Sequence, residues 1–229
     1  DGLIVRAHHP EAEAMFVRLT GDERLEMHRV HPNGVFAAPV PPRALDEGYM
    51  LEGRKGDIGW VYEDAYRFWP TLGDLDLHLF NEGRHRRLWD VLGAHHRSHQ
   101  GVPGTAFAVW APSARAVRVV GDFNAWDGRL HPMRALGSSG VWELFVPGAQ
   151  RGDRYKYEVV TPSGEVKLKT DPFAFQMEVP PAQASVIAAT EYVWRDADWC
   201  TQRDARERLE QPMSIYEMHL GSWRWAPDD

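Results

Sequence analysis

The stretch Val117-Arg118-Val119-Val120-Gly121-Asp122 has a counterpart a hundred residues earlier, Val17-Arg18-Leu19-Thr20-Gly21-Asp22, and this pair decides the fold. Outward from it the correspondence continues. Pro112-Ser113-Ala114-Arg115-Ala116 answers Pro10-Glu11-Ala12-Glu13-Ala14 on the N-terminal side. Downstream, Gly140-Val141-Trp142 and Val146-Pro147 answer Gly34-Val35-Phe36 and Val40-Pro41. Finally Asp171-Pro172-Phe173-Ala174-Phe175 answers Asp64-Ala65-Tyr66-Arg67-Phe68. Matches in one order, at offsets between 100 and 107, mark two tandem copies of one unit.

Each copy is a series of short apolar runs separated by Gly, Pro and Asn turns, the pattern of a β-sandwich. The expected strands of the second copy are 105–110, 116–121, 141–146, 154–160 and 166–170. Those of the first are 15–20, 25–31, 35–38, 49–52 and 58–63. Alternation in Arg154-Tyr155-Lys156-Tyr157-Glu158-Val159 puts Lys156 and Glu158 on one face and both tyrosines on the other. The fold class is therefore all-β: two tandem immunoglobulin-like β-sandwiches with short helical connectors.

Between the copies, Leu72, Leu75, Leu79, Leu88, Val91 and Leu92 fit helical turns, with Gly93 suited to a helix C-terminus. His95, His96 and His99 then read as a polar linker; a metal site would need a fourth ligand that the pattern does not offer. After the second copy, Asp198–Gln211 is helix-prone and stopped by Pro212. The run Met213–Trp223 reads as a buried strand opening a further domain. The expected division is 1–100 for the first sandwich and its linker, 101–190 for the second, 191–212 for a helical linker, and 213–229 for that strand.

Composition narrows the function classes. The chain has 229 residues and a net charge of −7, with both signs interspersed, so it carries no basic footprint for nucleic acid. No apolar run approaches the roughly 20 residues of a membrane span. A single cysteine, Cys200, rules out an internal disulfide and favours a reducing, cytoplasmic setting.

The two copies differ most after their matched glycines: Gly21 to Gly34 spans 13 residues, Gly121 to Gly140 spans 19. The insertion contains Phe123-Asn124-Ala125-Trp126-Asp127, an aromatic presented on a turn. Among the ten tryptophans, Trp110 and Trp142 lie in strand patterns and read as core, while Trp60 and Trp69 read as core and interface. Trp223 and Trp225 would pack against whatever follows.

These residues resemble the N-terminal region of the bacterial 1,4-α-glucan (glycogen) branching enzyme family. The resemblance rests on Asp64–Phe68, Leu72-Gly73-Asp74-Leu75-Asp76, Glu82-Gly83-Arg84-His85, Leu92-Gly93-Ala94-His95 and Phe107–Pro112. It continues through Gly121–Asn124 with Trp126-Asp127 and ends on Ile215–Trp223. It implies a β-sandwich, a second sandwich of the glycogen-binding type, and the first strand of a (β/α)₈ barrel at Ile215, with the catalytic carboxylates on later strands. On that basis the chain holds no catalytic residue, is inactive alone and needs no cofactor. Its expected partners are glycogen or α-glucan chains and its own catalytic barrel, with no nucleic acid or membrane, and the expected state is monomeric.

Similarity to glycogen-binding modules places Trp126 and Lys156 at sugar-contacting positions, with Asn124 and Lys169 as polar neighbours. The sequence departs from strong binders at two points: a second aromatic platform is replaced by Leu168, and an expected amide falls near Ala184-Ser185. The lysine's other reading is a pair with Glu158 or Asp127. Alternatives for the whole are a module of another α-amylase-superfamily enzyme, such as a debranching enzyme, or a non-catalytic glycogen-targeting protein. The tandem first sandwich and the Ile215 run argue against both.

Overall fold

The computed structural model describes residues 3–21, 23–189, 192–204, 212 and 214–223. They fall into two compact units, Asp1–Ala189 and Thr190–Asp229. The first unit opens with β1 (Leu3–His8), β2 (Ala14–Leu19), β3 (Arg24–His31), β4 (Val35–Val40), α1 (Arg43–Glu47), β5 (Tyr49–Lys55) and β6 (Ile58–Glu63). After α2 (Asp74–Asn81) come β7 (Gly93–His99), β8 (Val102–Trp110), β9 (Ala116–Gly121), β10 (Arg134–Ala135) and β11 (Val141–Pro147). The unit closes with β12 (Arg154–Val160), β13 (Val166–Lys169), β14 (Gln176–Met177) and β15 (Ser185–Val186). The second unit contains α3 (Ala197–Asp204) and α4 (Leu220–Trp223). The chain is mostly β, and the strands expected in both copies form within a few residues of their expected ends.

In the first copy the strand order is β1-β4-β3-β2-β5-β6, all neighbours antiparallel. Its long β3 pairs with β2 through Arg24–Met27 and with β4 through His28–His31, so it passes from one layer to the other. Met15, Val17, Phe36, Ala38 and Leu51 fill the space between the layers. Burying this alternating set removes its apolar surface from water, which stabilises the fold by about 25 cal/mol per Å².

The second copy repeats that plan. Here β8 pairs with β11 as β1 pairs with β4, and β12 pairs with β9 and β13 as β5 pairs with β2 and β6. The counterpart of β3 is the segment 131–135, which meets β9 through the Arg118–Pro132 bridge and meets β11 through Arg134 and Ala135. Phe107, Val117, Val119, Leu144, Tyr155 and Tyr157 form the core.

The repeat extends to a buried polar lock. Asp64 accepts from the Tyr49 hydroxyl at 2.6 Å and from the Tyr66 amide at 2.9 Å. Asp171 accepts from the Tyr155 hydroxyl at 2.6 Å, the Tyr157 hydroxyl at 3.2 Å and the Phe173 amide at 2.8 Å. Burial raises the pKa of both carboxyls, opposed by those donated bonds. Each aspartate thus fastens the segment leaving a sandwich to the tyrosine of its central strand.

The connection between the copies is held from the second one. Glu143, fully buried on β11, accepts from the Thr71 amide at 3.1 Å and the Thr71 hydroxyl at 2.8 Å, while Arg134 opposite it donates to the Phe68 carbonyl at 3.0 Å. Arg134 and Glu143 also form an ion pair at 3.2 Å, though without hydrogen-bond alignment.

Two readings are corrected. The histidine stretch is not a linker but β7, paired along β8 from Gly93–Ala108 to His99–Val102, so the second set of sheets begins before residue 101. Its histidines bond locally: His95 with the Leu92 carbonyl, His96 with Thr105 and the Ala149 carbonyl, and His99 with the Trp69 carbonyl. Polar composition hid a strand whose outer face is wet.

Trp110 is 55% exposed rather than core, because it ends β8 and its indole N–H donates outward to the Ser139 carbonyl. Residues 214–219 show no regular secondary structure and are exposed. No strand pairs with them among the described residues, and an unpaired extended segment lacks the ladder that defines a strand. The expected helix at 198–211 is present as α3 up to Asp204; residues 205–211 and Trp225 lie outside the described residues.

Candidate functional site

The inserted loop of the second copy follows β9 directly. A 3-10 turn at Asp122–Asn124 passes into Ala125 and Trp126, both left-handed at φ +51° and +62°. Two consecutive non-glycine residues in that region are sterically unfavourable and persist only where the surroundings fix them. Here the Trp126 amide donates to the Gly121 carbonyl at 3.0 Å and the Asp127 amide to the Asn124 carbonyl at 3.0 Å. Phe123 anchors the loop in the core against Phe107, their ring centroids 5.4 Å apart.

Asn124 works inside the loop. It is buried, its Oδ1 accepts from the Gly121 amide at 2.9 Å, and its Nδ2 donates to the Val119 carbonyl at 3.0 Å and sits 2.9 Å from His131 Nδ1. The amide is consumed in shaping the turn, which corrects the reading of Asn124 as a sugar contact.

The Trp126 indole is 37% exposed and its Nε1–H donates to Asp122 Oδ1 at 3.1 Å. Asp122 in turn receives the Arg154 guanidinium on both oxygens, at 2.9 and 3.0 Å, and the Arg154 amide at 2.9 Å. These donors hold the Asp122 carboxyl down to about pKa 2. Asp127 is likewise clamped by Arg129, through contacts of 2.6 and 3.0 Å.

Arg154, Lys156 and Glu158 alternate along β12 onto its outer face, while Tyr155 and Tyr157 are buried beneath, as the sequence pattern requires. The loop folds back over that face: a Cβ on Gly128 would fall on the Glu158 carboxylate. Trp126 is tied through Asp122 to the Arg154 head group, and Lys156 stands two residues, about 7 Å, along the strand from Arg154. Glu158 pairs with Arg118 at 3.3 Å and Asp127 with Arg129, so neither takes the lysine. Lys156 has no ion-pair or hydrogen-bond partner among the described residues.

The other expected contacts separate. Leu168 stands opposite Glu158 and shares the outer face, 51% exposed where a second aromatic would lie. Lys169 stands opposite Tyr157 and so projects to the other face, away from Lys156, which corrects its grouping with the site. Ala184 and Ser185 are buried, with Ser185 Oγ accepting from the Asp171 amide at 2.9 Å. The sequence reading missed the Asp122–Arg154 tether, although an Asp four residues before a Trp, with Arg opening the Arg154–Val160 strand, was present in the pattern.

The architecture and this surface define the class: tandem β-sandwiches of which the second carries a loop-borne aromatic. Residues 91–174 match the family described as carbohydrate-binding module 48 (isoamylase N-terminal domain). Residues 1–66 match the family described as alpha-1,4-glucan branching enzyme GlgB, N-terminal domain. The chain is 52% identical over 228 residues to a 1,4-alpha-glucan branching enzyme GlgB of Rhodococcus jostii, covering 98% of this chain and 31% of that protein. It is 50% identical over 234 residues to the enzyme of the same description in Myxococcus xanthus, covering 100% and 32%. The chain belongs to the GlgB branching-enzyme family, as its N-terminal region, and spans about a third of the length of these curated relatives. A pullulanase structure from Anoxybacillus covers 81% of this chain and 25% of its own at 16% identity and a TM-score of 0.37, which carries no argument about function.

Proposed function

We propose that the outer face of β9 and β12 anchors α-glucan, with the Trp126 indole stacked on a glucose ring and the Lys156 ammonium donating to its hydroxyls. The observation that carries this is the pairing of a tethered, exposed indole with an unpartnered lysine on one face. A pyranose shows an apolar CH face and a hydroxyl rim, and these two side chains match it. Stacking that removes on the order of 100 Å² of apolar surface contributes roughly 2–3 kcal/mol at 25 cal/mol per Å². With Leu168 in place of a second platform, one site binds at a Kd on the order of 0.1–1 mM after association entropy is subtracted. Repeated sites along a polymer chain compensate by multivalency.

In this reading the chain is the glucan-anchoring and structural part of a branching enzyme. The whole enzyme cuts an α-1,4 bond and passes the freed chain to a C6 hydroxyl, making an α-1,6 branch by the double displacement of retaining glycosidases. In the same reading the carboxylates for that chemistry sit on later strands of a barrel, outside these 229 residues. The chain alone is then inactive, works without a cofactor as a cytoplasmic monomer, and divides into two modules near Gly93. An amylose–iodine absorbance left unchanged by the chain is the expected result, and a shift would overturn its inactivity.

Affinity electrophoresis through glycogen tests the site. Trp126→Ala should bind at least about tenfold more weakly than the parent chain. Equal retardation of the two would make Trp126 a packing residue and end the proposal.

A further inference from the structure

The inserted loop has a second side. A cavity of about 490 Å³ lies between the sandwiches, bringing Trp60, Tyr62 and Tyr66 of the first copy against Arg129, Leu130 and His131 of the loop. Trp126 does not line it. That volume is within the range of small-ligand sites, about 300–1,000 Å³.

Its walls are fixed from both copies. The Tyr66 hydroxyl donates to the Pro132 carbonyl at 2.8 Å. Arg129, clamped to Asp127, also reaches Glu11 at 3.9 Å. Trp60 is held flat against Gly53, where a Cβ would fall on the indole, and the His9 ring lies against it at 4.8 Å between centroids. The bordering strand β6 ends its sheet, so one backbone edge has no ladder partner among the described residues.

The carboxylates of the lining, and Arg129, are already committed. Asp64 is taken by Tyr49 and the Tyr66 amide, Glu63 by Arg67, and Arg129 by Asp127. Burial keeps the His131 imidazole neutral, and it lowers the pKa of His9 as well. What remains is a set of aromatic faces, an open strand edge and the Arg6 guanidinium, which has no partner among the described residues; these suit a molecule with apolar faces and many hydroxyls.

We infer that this cavity is a second carbohydrate subsite, taking a maltose- to maltotriose-sized segment of α-glucan. It rests on the reading that the chain holds glucan, yet it shares no ligand-contacting residue with the outer face. A glucan chain seated here would bear on the Trp126 loop from behind, so the two subsites are joined through one rigid segment.

The test follows the indole N–H resonances of ¹⁵N-labelled 229-residue chain during titration with maltotriose. Trp60→Phe and Trp126→Ala identify two of the ten indole peaks by their loss, and the nine others in each variant report that the fold is kept. The Trp60 peak should move saturably, and should still move in Trp126→Ala. Leu130→Tyr, which adds a ring to the cavity wall, should abolish the Trp60 movement and leave that of Trp126. A still Trp60 peak with a moving Trp126 peak overturns the cavity subsite and keeps the outer face. The reverse keeps the cavity and overturns the outer face. Two still peaks overturn both, and a Trp60 movement untouched by Leu130→Tyr places binding elsewhere. An extended peptide added to the edge of β6 would give no maltotriose response at all.

Discussion

Removing the Asp122 carboxylate tests whether the Trp126 platform works because it is pre-oriented. In Asp122→Ala the indole loses its 3.1 Å tether, and the Arg154 guanidinium and amide lose theirs. Trp126 keeps its backbone bond to the Gly121 carbonyl, so the loop remains while the side chain gains rotamer freedom. Immobilising such a side chain on binding costs about 0.5–1.5 kcal/mol, which is about a twofold to tenfold loss of glucan affinity. The stacking area itself is untouched, so the loss must be smaller than that of Trp126→Ala. Affinity electrophoresis of both single variants and the double variant gives a full cycle. The double variant should match Trp126→Ala, since a tether has no effect once its indole is gone. Asp122→Ala migrating with the parent chain would refute pre-orientation. A double variant clearly weaker than Trp126→Ala would show that Asp122 contacts sugar directly. Because Asp122 is held near pKa 2 against an ordinary 3.8, its tether persists above pH 4 and is lost as pH falls toward 2.

Asp171→Ala leaves the Tyr155 and Tyr157 hydroxyls and the Phe173 amide without their acceptor in the second core. At about 1–2 kcal/mol for each stranded group, urea unfolding should show a loss of roughly 3–6 kcal/mol, and a loss under about 1 kcal/mol would contradict the lock. His131 has its pKa lowered to about 4 by burial, against 6.5 for the free side chain. Between those values the unfolded chain takes up a proton that the fold refuses, so stability falls as pH drops from 6.5 to 4, by up to about 1.4 kcal/mol per pH unit. Asp64 and Asp171, raised by burial, act in the opposite sense in parent and variant alike. His131→Gln should therefore flatten the difference in urea midpoint between pH 7 and pH 5, and an unchanged slope would show that His131 titrates freely in the fold.

The sequence by itself determined the architecture, because its information is local and doubled. Alternation in Arg154–Val159, glycines at the turns and the matched Asp64 and Asp171 segments specify strands without reference to distant partners. It also located the insertion after Gly121, since comparing two copies exposes a length difference that one copy would conceal. Where polarity outweighed pattern the reading failed, as in β7, whose histidines are half-buried and bonded within the fold while Ala94 enters the core.

The site depended on tertiary structure for a different reason. Asn124 and Lys169 have the right chemistry for sugar, but side-chain direction is set by turn geometry and cross-strand register, which turned one inward and the other to the opposite face. Nor does sequence separation reveal that Asp122 meets Arg154, or that Trp60 and His131 wall one cavity, since those contacts exist only after β9, β12 and the two sandwiches are packed. Composition and repetition thus fix which strands exist, and only packing decides which of their side chains a ligand can reach.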